Sequence, residues 1–463
     1  MKEKKEKENN GGFMEENKMG VLPVKKLIVS MAVPMMISML VQALYNIVDS
    51  IFVSKVAEEA LTGVTLAFPL QMLMISVGSG MGVGMNAILS RALGEKKQDR
   101  ANAAANTGLF LTVMSYIVFL IIGIFVSRPF INSQTNKAVI SDYGTTYITI
   151  CTTLSLGLFF QMTFERLLQS TGKTIFSMVS QLTGAIVNII LDPILIFGLL
   201  GMPKLGVAGA AYATVAGQTV AGIVGYFLNV NFNKEVQLSI KEILKPDVSD
   251  IIKIYEIGIP SMIMMSIGSV MTYLMNNILK TFSDTAQAVF GAYFKLQSFI
   301  FMPVFGLNNG LIPVLAYNYG AKSKKRINEA VFFSMKMAFC IMIFGTVLFC
   351  SIPKLLLGLF DASDYMIKIG VPALRTISLS FPIASICIIL GSTFQAFAKS
   401  TYSLIVSVSR QLIALIPAAW LLSKTGNVNN VWWAFPIAEI ASLTASLFFY
   451  RRIKKNIIDT LDE

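Results

Sequence analysis

The chain has 463 residues, 54% of them hydrophobic and 14% charged, with a net charge of +12 and no histidine. Soluble domains carry roughly 25% charged residues, so this composition excludes an ordinary water-soluble core. The missing histidine removes Ser-His-Asp catalysis and the commonest metal ligand and proton shuttle.

Met1–Lys26 is polar, charged and glycine-containing, and is expected to be a disordered tail. Six apolar runs then lie near 27–53, 60–90, 104–126, 143–164, 175–199 and 206–231. A polar, basic stretch at 232–253 follows, read as a linker with a short surface helix. Six further runs lie near 254–279, 286–318, 331–352, 368–397, 401–423 and 430–450, before a short tail at 452–463. About 20 apolar residues span a bilayer as a helix, which satisfies its own backbone polar groups. The expected fold is an all-α membrane protein with twelve transmembrane helices, the N-lobe at 27–231 and the C-lobe at 254–451.

Basic residues orient the chain. With both termini cytoplasmic, the inner loops hold Arg91, Lys96, Lys97 and Arg100 in one cluster and Lys322, Lys324, Lys325 and Arg326 in another. The outer loops then keep only scattered bases such as Lys55, Arg128, Lys137 and Lys204. The positive charge is thus a topology signal, and nucleic acid is not an expected partner. Cys151, Cys340, Cys350 and Cys387 form no CxxC pair and read as small core residues. No GxxxxGK[ST] loop is present, so ATP is not the expected energy source.

The sequence repeats itself at a shift of 226 residues. Pro34 matches Pro260, and Leu70-Gln71 matches Leu296-Gln297. Gly80, Gly84 and Gly94 match Gly306, Gly310 and Gly320; Lys96 and Arg100 match Lys322 and Arg326; Gln169, Lys173 and Ser177 match Gln395, Lys399 and Ser403. Shared membrane composition would not keep polar loop residues in register. Each copy holds an even number of spans, so the two lobes are expected to be related by a pseudo-two-fold axis along the membrane normal, with alternating access around the cavity between them.

Few charges fall inside the runs: Asp49, Asp192, Glu439, Lys295, Lys336, Arg375 and Arg410. Such charges face protein or water rather than lipid. At about 1.5 Å per residue, Asp49 and Asp192 lie roughly 6 and 10 Å inside the outer edge, and Thr214 roughly 12 Å inside it. Asn188 precedes Asp192 by four residues, which puts both on one helix face. Two carboxylates, an amide and a hydroxyl at similar depth suit a proton, and their hard oxygens equally suit Na⁺ at Asp49, Asn188 and Asp192. Depth further suggests a C-lobe polar network in which Glu439 pairs with Arg375 or Lys295. Abundant methionine, as at Met31, Met35, Met36 and Met262, with phenylalanines such as Phe159 and Phe294, suits an adaptable cavity for lipophilic molecules.

The first span ending NIVDSIFV, the loop RALGEKKQDRANAA with its second copy NYGAKSKKRINEA, NIILDPILIFG, GVAGAAYATVAGQ, SRQLIALIP and WWAFPIAEIAS together resemble the MATE (multidrug and toxic compound extrusion) family, in the bacterial branch of DinF-like and MepA-like pumps. The resemblance implies two lobes in a V and a transporter rather than an enzyme. It implies efflux of cationic or amphipathic molecules across the cytoplasmic membrane in exchange for H⁺ or Na⁺, with no further cofactor. The family's N-lobe coupling residues carry over to Asp49, Asn188, Asp192 and Thr214. Some members place acids in the seventh and tenth spans; here the seventh has only Glu256 at its start and the tenth has Arg375, which favours N-lobe protonation. Expected partners are small lipophilic or cationic substrates and membrane lipids, with the chain a monomer. A flippase for a lipid-linked precursor is the alternative, suggested by Lys295, Arg375 and Arg410.

Overall fold

The computed structural model describes residues 17–360 and 362–461. Ten helices are long and apolar enough to cross a membrane, and two bent pairs bring the number to twelve. We label these spans α1 (Val24–Ser54), α2 (Glu58–Gly94), α3 (Gln98–Phe125), α4 (Ala138–Thr153 and Leu156–Ser170), α5 (Thr174–Phe197) and α6 (Val207–Phe232). The second set is α7 (Val248–Lys280), α8 (Asp284–Gly320), α9 (Lys324–Ser351), α10 (Asp364–Ser378 and Phe381–Ala396), α11 (Ser400–Ser423) and α12 (Val428–Ile458).

The repeat is legible in backbone detail. α4 bends by 50° and α10 by 46° at equivalent positions, around Leu154–Ser155 and Leu379–Ser380. In α10, Pro382 opens the second arm, where its missing N–H costs nothing. Lys96 and Lys322 both take a left-handed φ of 58°, and Gly172 (φ 88°) has Ala398 (φ 58°) as its mate. One local difference breaks the symmetry: α11 widens into a π-helical stretch at Ser409–Leu415. Pro417 follows, and its ring displaces the carbonyl four residues earlier.

Close packing between the lobes runs along the halves of α1, α2, α7 and α8 nearest the chain termini, and the repeated glycines mark it. A methyl group on Gly80 would lie 2.7 Å from the Gly258 carbonyl oxygen, and one on Gly306 would lie 2.5 Å from Met36 Cα. At Gly84 it would overlap the Ile254 carbonyl, at Gly94 that of Tyr317, and at Gly320 that of Arg91. The two-fold is therefore built from backbone-to-backbone approach that only glycine permits.

The expectation for the N-terminal tail needs correction. Residues 1–16 lie outside the described part, but Lys18–Val21 form a helical turn capped by the Asn17 side chain, and α1 starts at Val24. Met19 is fully buried. Arg326 on α9 holds this turn, donating from Nη2 to the carbonyls of Met19 (2.9 Å) and Leu22 (2.8 Å), while Asn17 donates to the Thr171 carbonyl (3.0 Å). An arginine satisfies backbone carbonyls that are otherwise left over where the chain enters a helix. The turn thus ties the α4–α5 loop to the C-lobe. Charge-assisted bonds of this kind contribute about 1.5–3 kcal/mol each. In an Arg326→Ala background, a Met19→Cys side chain is expected to react with a water-soluble maleimide at least tenfold faster than in the Arg326 parent.

The C-terminal tail is likewise packed rather than free: Ile458 is buried and Asp459 pairs with Lys324 at 3.1 Å. The connection between the lobes holds one helical turn at Ile240–Ile243 and is shorter than the expected 232–253, because α7 already begins at Val248. Asn106 pins this connection, donating to the Gln237 carbonyl (3.1 Å) and to Glu242 (2.7 Å).

Candidate coupling site

The four N-lobe residues expected to act together do meet. Asp49 comes from α1, Asn188 and Asp192 from α5, and Thr214 from α6. Gly184 and Gly217 let α5 and α6 touch: a methyl group on either would come within 2.8 Å of the other's carbonyl oxygen. That approach sets Asn188 Nδ2 to donate to Thr214 Oγ1 at 3.3 Å. Asp192 is fully buried, Asn188 and Thr214 are buried, and Asp49 is half-buried. The carboxyl groups of Asp49 and Asp192 are close enough to interact electrostatically.

The site is short of donors. Asp49 Oδ1, both Asp192 oxygens and Asn188 Oδ1 are buried without a donor among the described residues. No lysine or arginine of the described residues forms an ion pair with either aspartate. A buried acceptor left unpaired costs about 1–3 kcal/mol, more if charged, so this constellation calls for a proton, a cation or a water as its missing partner.

Sequence reasoning missed the neighbours. Tyr45, one turn before Asp49, stands beside both carboxyl groups. Tyr147 on α4 reaches Gln71 on α2 and Cys151 on its own helix. The four-residue spacings Tyr45–Asp49 and Tyr147–Cys151 were available as a signal. Also missed were Glu165 and Arg166. The fourth apolar run was ended at 164, but α4 continues to Ser170 and buries both. Gln161 donates to Glu165 at 2.9 Å, and Arg166 donates to Asn309 on α8 at 3.2 Å, a polar contact across the lobes.

The expected C-lobe network does not form. Glu439 pairs with Arg410, Nη1 to Oε1 at 2.9 Å. Arg375 is exposed and donates to the Cys350 carbonyl (3.1 Å), and Lys295 is exposed with its ammonium 6.0 Å from the Phe360 ring. Similar depth does not fix which helix faces which: the π-helical stretch of α11 packs on α12, whereas Lys295 and Arg375 are exposed. At the 226-residue shift, Arg410 and Glu439 replace Gly184 and Ala213, while Asn188 and Asp192 are replaced by Ala414 and Ala418. Arg410, Glu439 and Asp192 thus stand where the other lobe keeps small residues, while Asp49 is matched by the buried Met275. Among the cysteines, Cys151 and Cys387 are buried, but Cys340 faces outward.

Two lobes of six spans, each with an intramembrane polar site, define a membrane transporter rather than an enzyme. The MatE family profile matches residues 34–194 and 260–421, once in each repeat, and the chain belongs to that family. It is 26% identical to the FAD transporter of Shewanella oneidensis over 453 residues, covering 95% of this chain and 98% of that one. It is 25% identical to the multidrug export protein MepA of Staphylococcus haemolyticus, covering 93% and 94%. A solved MATE in complex with MaL6 superposes with a TM-score of 0.89 at 25% identity, covering 96% of this chain and 99% of the other. An outward-facing multidrug-resistance MATE superposes equally well, with a TM-score of 0.89 at 24% identity over 96% and 98% of the two chains, which speaks for the fold.

Proposed function

We propose that this chain exports cationic and amphipathic small molecules across the bacterial plasma membrane in exchange for protons, both termini being cytoplasmic. The observation that carries the reading is the facing pair Asp49 and Asp192, buried with donor-poor surroundings. Two carboxyl groups can hydrogen-bond to each other only through a proton, since ionised carboxylates are acceptors alone. A pair sharing one proton carries a single negative charge and a doubly protonated pair none, whereas a fully deprotonated pair repels itself and attracts a cation. Proton and cationic cargo then exclude one another, which is the requirement for exchange. The packed seam on the terminal side corresponds to a state closed to the cytoplasm, from which the lobes rock to the opposite state.

Na⁺ is the competing coupling ion, because the same oxygens are hard ligands. The two are separated in proteoliposomes. A pH gradient without Na⁺ is expected to drive uptake of a fluorescent cationic dye severalfold above empty liposomes, and uptake that needs Na⁺ alone overturns the proton assignment. FAD offered under the same gradient tests whether cargo extends to the flavin dinucleotide for which one relative is named. The flippase alternative loses its motive, because Lys295, Arg375 and Arg410 do not converge on one cavity.

A further inference from the structure

A cavity of about 440 Å³ lies inside the C-lobe, among α7, α8, α10, α11 and α12, within the size range of small-molecule sites, ~300–1,000 Å³. We infer that it is a second cargo site, which takes planar aromatic molecules bearing an anionic group, with Arg410 as the anion-binding residue. This rests on the reading of the chain as a small-molecule transporter, but not on how transport is energised.

The wall of the cavity carries the Arg410–Glu439 pair. Glu439 already answers Arg410, so the cavity offers no uncompensated acid for a cation, unlike the N-lobe site. Arg410 spends Nη1 on Glu439, and its side chain keeps 28% exposure. Guanidinium has five N–H donors in a fixed fork suited to carboxylate or phosphate. Beside it, the buried Ser442 Oγ, with no partner among the described residues, can donate to an anionic group, whereas Glu439 Oε2, also open at 8% exposure, is an acceptor that takes a donor of the ligand instead. Buried polar atoms left open on a cavity wall are the mark of a site that a ligand completes. The same cavity is lined by the buried Tyr293 and the half-buried Phe294 and Phe435, with Tyr293 centred 5.6 Å from Phe294 and 5.9 Å from Phe435. Their faces suit a planar ring, and the methionines of α7 that also line the cavity can adjust to its outline. The N-lobe has Gly184 and Ala213 at the equivalent positions, so the site belongs to the C-lobe alone.

Fluorescein and rhodamine 123 share a xanthene ring and differ in charge, which makes them a matched pair of probes. Binding is read by fluorescence anisotropy with the full chain in nanodiscs, without any ion gradient. Fluorescein is expected to bind more tightly than to empty nanodiscs. The paired variant Arg410→Ala/Glu439→Ala, which leaves no orphan charge, is expected to weaken it at least tenfold. Glu439→Gln, which frees Arg410 from its counter-charge, is expected to tighten it severalfold, a gain that misfolding cannot produce. The inference is overturned if fluorescein binds no better than to empty nanodiscs, if all variants bind it alike, or if Glu439→Gln instead costs rhodamine 123 binding and leaves fluorescein unchanged. Failure of pH-driven dye uptake would strike the proposed antiport alone and leave these equilibrium results standing.

Discussion

Asp192→Asn is expected to reduce pH-driven dye uptake in proteoliposomes to the level of empty liposomes, while the protein still inserts and elutes as a single species. The asparagine keeps the side chain's shape but has no proton to exchange. It can also donate to Asp49, whose Oδ1 otherwise lacks a partner, and so locks the site in one state. The stability change should stay within about 1 kcal/mol, because no cavity is made and a buried acceptor gains a donor. Asp49→Asn should lower uptake at least tenfold by the same logic; it is half-buried, whereas Asp192 is fully enclosed. Undiminished transport by Asp192→Asn would remove this residue from the coupling site and with it the exchange mechanism.

The second large effect is expected at the seam. A Cβ on Gly94 would overlap the Tyr317 carbonyl oxygen and stand 3.0 Å from the Ala321 nitrogen; its repeat mate Gly320 faces Arg91 and the Glu95 nitrogen in the same way. These neighbours are backbone atoms of helix ends, which cannot step aside as a side chain would. Overpacking costs about 1–3 kcal/mol. In a balance between two lobe arrangements that is a shift of roughly 5- to 150-fold. Gly94→Val and Gly320→Val are each expected to depopulate the arrangement closed on the terminal side and to cut transport by more than tenfold. The shift can be read directly from a Met31→Cys reporter, because Met31 is fully buried beside Gly310 in the seam. Its maleimide labelling should rise in either glycine variant. Gly291→Ala is the control: a methyl group there meets nothing within 4 Å, and alanine favours a helix by about 1 kcal/mol over glycine. Equal labelling in the seam variants and the control would show that the seam does not gate access.

The two effects lie on different links of one chain. The seam is a property of the repeat and sets which side is closed. The acid pair is private to the N-lobe and, in the proposed exchange, is what the closed state trades for cargo. Arg166, buried on α4 against Gly82 and bonded to Asn309, adds a polar contact between the lobes.

The sequence by itself determined the number of spans and the two-lobe plan, because these follow from local hydropathy and a self-match at one fixed shift. It also brought Asp49, Asn188, Asp192 and Thr214 together as a candidate set. Only the tertiary structure decided azimuth, meaning which neighbour each charged side chain faces. Glu439 was assigned Arg375 or Lys295 by depth, and instead met Arg410 where a π-helical stretch before Pro417 packs on the last helix. Glu165 and Arg166 were lost because hydropathy reads a charged pair as a loop, although neighbouring helices can bury it. Met19 was read as part of a tail because no local pattern announces that an arginine 307 residues away holds its carbonyl. Periodicity is a one-dimensional signal and survives in sequence; the rotation of one helix against another is settled by close packing, and there a few glycines and one widened turn outweigh composition.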